Sequence, residues 1–188
     1  MNILKTELHC HNQFSNFQLG LRETPYDCGV TISDQLEQAH KLGLDALFIT
    51  NHNTLDGFTA MLDYKENHEA LRDLHVYPAE EITTNTGTHI IAYGISETIK
   101  PGQTIEEILD KIRAQDAISC APHPFGLNNG LREKAILCEL IEVFNSNNVD
   151  RYSNIRATHF AKTNNMIQVA GSDSHVLSTL GRCTNLIE

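Results

Sequence analysis

Ten histidines fall in a chain of 188 residues, and eight acidic or imidazole side chains stand where they could share a task. His9 and His11 are two apart in "TELHCHNQFSN", and Asp173 and His175 are two apart in "AGSDSH". In an extended segment, side chains at i and i+2 project to the same side, so each pair can reach one ion. His52 ("ITNHNT"), Glu81 ("PAEEIT"), His89 ("THIIAYGI") and His123 ("APHPF") add further donors, each at the edge of an apolar run. Imidazole mixed with carboxylate suits Zn²⁺, Mn²⁺ or Fe²⁺. Six histidines and two carboxylates exceed the roughly four protein ligands of a single zinc site, so the count points to two or three divalent ions. A carboxylate shared between ions, such as Glu81, would hold them about 3.5–4 Å apart, the separation that two-metal hydrolases use. One H-x-H is more often a solvated loop, and Glu80 with Glu81 reads equally well as a charged loop. The coincidence of all these residues with strand ends favours the metal reading.

Those ends belong to an alternation of strands and helices. Strands are expected at about 3–9, at "DALFIT", "HVYPAEEIT", "THIIAYGI", "AISCAP", "LIEVFN" and "MIQVAGSD". Helices are expected at "SDQLEQAHKLG" with Ser33 as cap, across most of "DGFTAMLDYKENHEALRDL", at "TIEEILDKIRAQD" with Thr104 as cap, at "LREKAILC" and at "NIRATHFAKTNN". Alternation of this kind implies a mainly parallel α/β sheet, whose carboxyl strand ends gather at one face. His89 opens its strand, so an antiparallel or distorted strand is needed to bring it to that face. His40, His68 and His159 fall on helices and His75 precedes a strand; all four read as surface.

The formal charge is −10, without a Lys/Arg cluster, which counts against long nucleic acid as a partner. The five cysteines include no C-x-x-C, so reduced, mostly buried thiols are expected. No apolar run approaches membrane-spanning length and the start lacks a signal pattern, so a cytoplasmic protein of one domain, 1–188, is expected.

The segments "LHCH", "ITNHNT", "PAEEIT", "THIIAYGI", "APHPF", "IEVFN" and "GSDSH", in this order from 8 to 175, resemble the PHP (polymerase and histidinol phosphatase) family. The resemblance implies an α/β fold of the distorted (β/α)7 barrel type with metals at its mouth. It implies a first ion on His9, His11, Glu81 and Asp173, a second on Glu81, His89 and His123, and a third on His52 and His175. Glu81 is preferred to Glu80 because the family's ligand precedes an apolar residue and then Ser or Thr. Three departures stand out: Asn16 where the family often has Asp, Asn51 in place of Asp before His52, and an end at "GRCTNLIE" where a last helix is expected. Asn is a weaker ligand for a hard cation, so a firm two-ion site and a weak third one are expected.

The activity this implies is metal-dependent phosphoester hydrolysis of a small phosphorylated substrate, a nucleotide or a sugar or amino-alcohol phosphate, with a metal-bound hydroxide as nucleophile. His52, His175 and Asp173 are the candidate catalytic residues, the histidines as proton donors to the leaving oxygen. Arg22, Arg132 and Arg182 are candidates to grip phosphate. The alternatives are an exonuclease or phosphatase acting on short RNA or DNA ends, and a metal-binding domain without turnover that serves as sensor or assembly subunit.

Overall fold

The computed structural model describes residues 3–17 and 27–188; Arg22 and the Asn16 side chain lie outside the described residues. Eight strands make one sheet: β1 (Leu4–Cys10), β2 (Ala46–Ile49), β3 (His75–Thr83), β4 (His89–Tyr93), β5 (Ile118–Ala121), β6 (Leu140–Asn145), β7 (Ile167–Gly171) and β8 (Asn185–Ile187). Their spatial order is β7-β6-β5-β4-β3-β2-β1-β8. The α-helices are α1 (Ile32–Lys41), α2 (Asp56–Glu66), α3 (Ile105–Ala114) and α4 (Arg151–Thr163). No helix among the described residues is long and apolar enough to cross a membrane.

The sheet curls into a nearly closed barrel. At the mouth, the Asp173 N–H donates to the His9 carbonyl (2.7 Å) and the His11 N–H to the Ser174 carbonyl (3.0 Å), joining the ends of β1 and β7. At the base, β8 pairs antiparallel with β1. The Asn185 side chain spans from β8 to β7, accepting from the Ala170 N–H (2.9 Å) and donating to its carbonyl (2.8 Å). A carboxamide thus makes the contact that a peptide unit would make in a continuous ladder. Seven strands and a missing last helix were expected; the segment after "GSDSH" instead supplies an eighth strand.

β4 is antiparallel to both β3 and β5, which turns its first residue, His89, toward the mouth. Helix boundaries differ from the sequence reading in local ways. Thr31, not Ser33, caps α1, its hydroxyl accepting from the Asp34 N–H. α2 stops at Glu66, where Asn67 donates to the Asp63 carbonyl and His68 bonds the Tyr64 carbonyl, both competing with continuation of the helix. His68 is therefore off the helix, but it is exposed, as are His40, His75 and His159. "LREKAILC" is a 3-10 turn over Arg132–Leu137, entered through a left-handed Arg132 (φ 57°). Thr104 caps α3 as expected, and with Glu107 it forms a capping box, worth about 1 kcal/mol.

Two apolar layers separate the barrel wall from its helices. Ile108 and Ile112 of α3 pack on Ile82, Ile90 and Ile141; Leu36 of α1 and Met61 of α2 pack on Leu47 and Ile49. The third apolar cluster fills the lower barrel with Leu8, Ala79, Ile91, Tyr93 and Cys120.

Candidate metal centre

The polar site lies one step above that plug, because strand side chains repeat with period two. Glu81 follows Ala79 by two, His89 precedes Ile91 by two, and Glu142 follows Leu140 by two; the lower member of each pair belongs to the apolar cluster. β1 needs an irregularity to do the same. Its register against β2 shifts between Glu7 and Cys10. This bulge lets Leu8 join the plug while the adjacent His9 reaches Glu81 and Asp173. Cys10 points outward and packs among Leu36 and Leu47, with its thiol on the Phe48 carbonyl.

His9, His11, Glu81 and Asp173 present ligand atoms that all lie within 4.8 Å of one another. His9 Nε2 is 3.4 Å from both Glu81 Oε2 and Asp173 Oδ1, and His11 Nε2 is 3.3 Å from the same two oxygens. A tetrahedron with bonds of about 2.1 Å has edges of about 3.4 Å, and these four nitrogen–oxygen separations match that edge. The protonation pattern agrees. His9 Nδ1 faces Glu142 Oε1 at 2.9 Å, an acceptor, so Nδ1 keeps a proton and Nε2 is the nitrogen that can exchange its proton for a cation. His11 Nδ1 faces Ser15 Oγ (3.1 Å), whose own hydrogen goes to Asn51 Oδ1 (3.1 Å), so Nε2 is again the open position. His11 Nε2, His52 Nδ1 and His123 Nδ1 are buried without a hydrogen-bond partner among the described residues. A buried imidazole nitrogen facing a carboxylate, as His11 Nε2 and His52 Nδ1 do, is satisfied by a proton or by a metal cation between the two.

Glu81 is the hub. Its Oε1 is 2.8 Å from His89 Nδ1 and 2.9 Å from His123 Nε2, and its Oε2 is 3.3 Å from His52 Nδ1. The Oε1 contacts are hydrogen-bond lengths, so a cation entering there has to replace a proton and spread the three groups. His52, Glu81 and His89 form a 4.8 Å grouping in which His52 stands where the resemblance placed His123. Glu80 points away from the centre and accepts from the Ile99 N–H.

Charge is balanced by protons in this arrangement. Burial opposes ionisation of Glu81 and Asp173, but the surrounding histidines outweigh it and hold both carboxyls well below their usual range. Burial likewise opposes a proton on His9 and His11; the carboxylates outweigh it, raising His9 well above its usual value and His11 to about 9. His52 is pushed down to about 3, chiefly by burial. Cation uptake by this cluster must therefore release protons.

Among the arginine candidates, Arg132 donates to the Phe125 and Leu127 carbonyls and braces the loop after β5, so its guanidinium is already committed. Arg182 is exposed in a turn that packs on Leu42, at the end of α1 away from the mouth. Neither lines the cleft over the centre, a cavity of about 310 Å³, so neither is placed to hold phosphate. Asn128, Asn129, Asn147 and Asn148 form its rim with Leu127 and Val149.

Several residues of the site were not singled out by sequence. Glu142 holds His9 and accepts from the His123 N–H (2.6 Å) and from Asn145, which also donates to Asp173 (3.1 Å). An acid inside the apolar run "LIEVFN" was the available signal. Ser15 carried none beyond lying near the H-x-H. Asp27 stands 3.5 Å from His175 and 3.9 Å from His52. It lies in an irregular loop, where no periodicity marks a residue.

A family model described as PHP-associated matches residues 151–188, which span α4, β7 and β8. The uncharacterized protein MJ0417 of Methanocaldococcus jannaschii is 33% identical over 126 residues, 61% of this chain and 53% of that protein, so the chain matches about half the length of this relative. A Bifidobacterium adolescentis structure provisionally assigned as a metal-dependent phosphoesterase superposes with a TM-score of 0.68 at 15% identity, over 91% of this chain and 87% of that one. The lesion-specific endonuclease PfuEndoQ of Pyrococcus furiosus gives a TM-score of 0.67 at 17% identity, over 98% of this chain and 52% of that one. The ordered motifs and the PHP-associated match over residues 151–188 support the resemblance to the PHP family, and the solved structures share the fold.

Proposed function

We propose that the chain is a metal-dependent phosphoesterase that hydrolyses a small phosphoester, a nucleotide or a sugar or amino-alcohol phosphate. The observation that carries this reading is the convergence of ligand atoms from His9, His11, Glu81 and Asp173, all within 4.8 Å of one another, beneath an open cleft. Two or three divalent ions bound there would lower the pKa of water and neutralise phosphate oxygens. The chain's own residues set the stage. Glu81 ties the clusters together, Glu142 and Ser15 fix the tautomers of His9 and His11, and Asn145 orients Asp173. His175 sits at the cleft wall with its Nδ1 on the Asp173 carbonyl, so it can pass a proton only through Nε2.

The cleft supports a small substrate. About 310 Å³ is at the lower end of ligand pockets. Its described rim is neutral, offering carboxamides and two apolar side chains, which suits an uncharged alcohol portion rather than a run of phosphates. The likeness to PfuEndoQ keeps a nucleic-acid end as the second reading.

Protein loaded with Mn²⁺ or Zn²⁺ is assayed for phosphate release from mononucleotides and sugar phosphates, and for cleavage of 5′-phosphorylated oligonucleotides. Turnover of the small esters, lost in His9→Ala and Asp173→Ala, is expected. Turnover confined to oligonucleotides and falling steeply with salt would favour the second reading. Full metal content with no turnover of any phosphoester would leave a binding domain.

A further inference from the structure

We infer that Glu7 is a positioning residue for the metal cluster, holding the two backbone segments that present His9 and Asp173. The inference rests on the cation-binding part of the proposed function and not on turnover. Glu7 lies two residues before His9 in "TELHCH" and is fully buried. Its Oε1 accepts the His9 N–H (3.1 Å) and the Ser172 N–H (3.0 Å), and its Oε2 accepts the Gly181 N–H (3.1 Å). These donors come from β1, from the end of β7 and from the turn before β8, and none is a charged side chain. A carboxylate, which only accepts, can take all three without turning a donor toward any of them; a carboxamide cannot.

Each bond meets a local need. The irregularity in β1 lies between Glu7 and Cys10, and Glu7 Oε1 is the acceptor that receives the His9 N–H there. Asp173 stands in the left-handed region (φ 51°), where a residue with a Cβ is strained and stays only when its neighbours hold it. They hold it through adjacent N–H groups: that of Ser172 goes to Glu7, and that of Asp173 goes to the His9 carbonyl (2.7 Å). The same carbonyl also accepts the Ser172 hydroxyl (3.1 Å). One oxygen of Glu7 thus sets the separation of the two backbones whose side chains bring His9 Nε2 and Asp173 Oδ1 to 3.4 Å. Its other oxygen fastens the turn before β8 to the same point.

The test is metal affinity, with a spectroscopic readout that a purely stabilising role would not move. Glu7→Asp keeps the charge but ends one methylene short of its partners. It should weaken Zn²⁺ binding about 10–100-fold, measured well below the variant's Tm, and change the visible absorption of the Co²⁺-loaded protein. Glu7→Gln keeps one oxygen for His9 and Ser172 and sets its NH₂ against Gly181, so it should recover most of the affinity and the wild-type Co²⁺ spectrum. A lowered Tm for Glu7→Asp with wild-type Zn²⁺ affinity and Co²⁺ spectrum would overturn the positioning role. Should Glu7→Asp fail to fold, amide exchange in the metal-free wild type decides. The His9 and Ser172 N–H groups should be protected before metal arrives, and protection that appears only with Zn²⁺ would refute the inference. Wild-type protein that binds no Zn²⁺ would refute the metal centre and this role together. Phosphate release is not read, so an absence of turnover bears on the phosphoesterase reading alone.

Discussion

Gly171 is the position at which the metal centre and the barrel wall meet most tightly. A Cβ placed there would lie 2.0 Å from Glu142 Oε1 and 2.4 Å from His9 Cβ. Ordinary contacts begin at about 3.4 Å, so both side chains would have to retreat by 1 Å or more, or β7 would have to move. Neither neighbour is free to give way. Glu142 also accepts from the His123 N–H and from Asn145, and His9 is fully buried with a 2.9 Å bond to Glu142. Gly171→Ala should therefore act twice. Overpacking of a closed wall costs about 1–3 kcal/mol, and at this chain length each kcal/mol lowers Tm by about 2–4 °C. Displacing Glu142 removes the acceptor that fixes the His9 tautomer, which should weaken metal binding about 10–100-fold, or about 1.4–2.8 kcal/mol. Thermal unfolding in EDTA reads the first effect and Zn²⁺ titration the second. A variant with wild-type Tm in EDTA and wild-type metal affinity would refute the packing argument and the outer-sphere role of Glu142 together.

Other outcomes follow from the same contacts. Removing metal should lower Tm, because a ligand at 100 times its Kd stabilises by about 2.7 kcal/mol, or roughly 5–11 °C here; an unchanged melt in EDTA and in Zn²⁺ would contradict a cation site in the folded state. Asn51→Asp should destabilise although it restores the acidic residue of the family motif. Asn51 Nδ2 donates to Asn12 Oδ1 at 2.9 Å, and a carboxylate there would face a buried acceptor at a cost of at least about 1–3 kcal/mol, read by melting in EDTA. Asn185→Ala should cost about 1–3 kcal/mol by removing both bonds to Ala170, with metal stoichiometry unchanged; a change in metal content would mean that closure at the base reaches the mouth.

The sequence carried the fold where period and capping were strong. β3 and β6 span the expected "HVYPAEEIT" and "LIEVFN", and α3 starts at its capping box. It carried less where tertiary contacts decide. The 3-10 turn at Arg132–Leu137 had an apolar pattern fit for a helix, but six residues held to the Phe125 and Leu127 carbonyls through Arg132 leave no length for one. β8 is three residues long and exists through pairing with β1 and the reach of Asn185, neither of which has a local signature. Within the site, residues on strand ends were legible because strand direction fixes where ends gather. Asp27 was not, because nothing in a loop sequence tells where it returns to the barrel. Arg132 and Arg182 fall away from the cleft for a related reason: position in a loop after a strand does not say whether a guanidinium turns to the cleft or, as in Arg132, back to the chain.

The asparagine departure at 51 also looks different in three dimensions. A neutral residue before His52 was expected to go with a weak third site. Asn51 instead uses both ends of its carboxamide: Oδ1 takes the Asn12 N–H and the Ser15 hydroxyl, and Nδ2 bonds the Asn12 side chain. Ser15, its hydrogen so committed, must accept from His11, and that sets which nitrogen of His11 faces Glu81 and Asp173. An aspartate at 51 could take the same two donors but would lose the bond to Asn12, whose Oδ1 also accepts the Phe14 N–H and so cannot turn into a donor. Asn51 and Asn12 are a matched pair, and the charge missing at 51 does not weaken the tautomer control that the cluster needs.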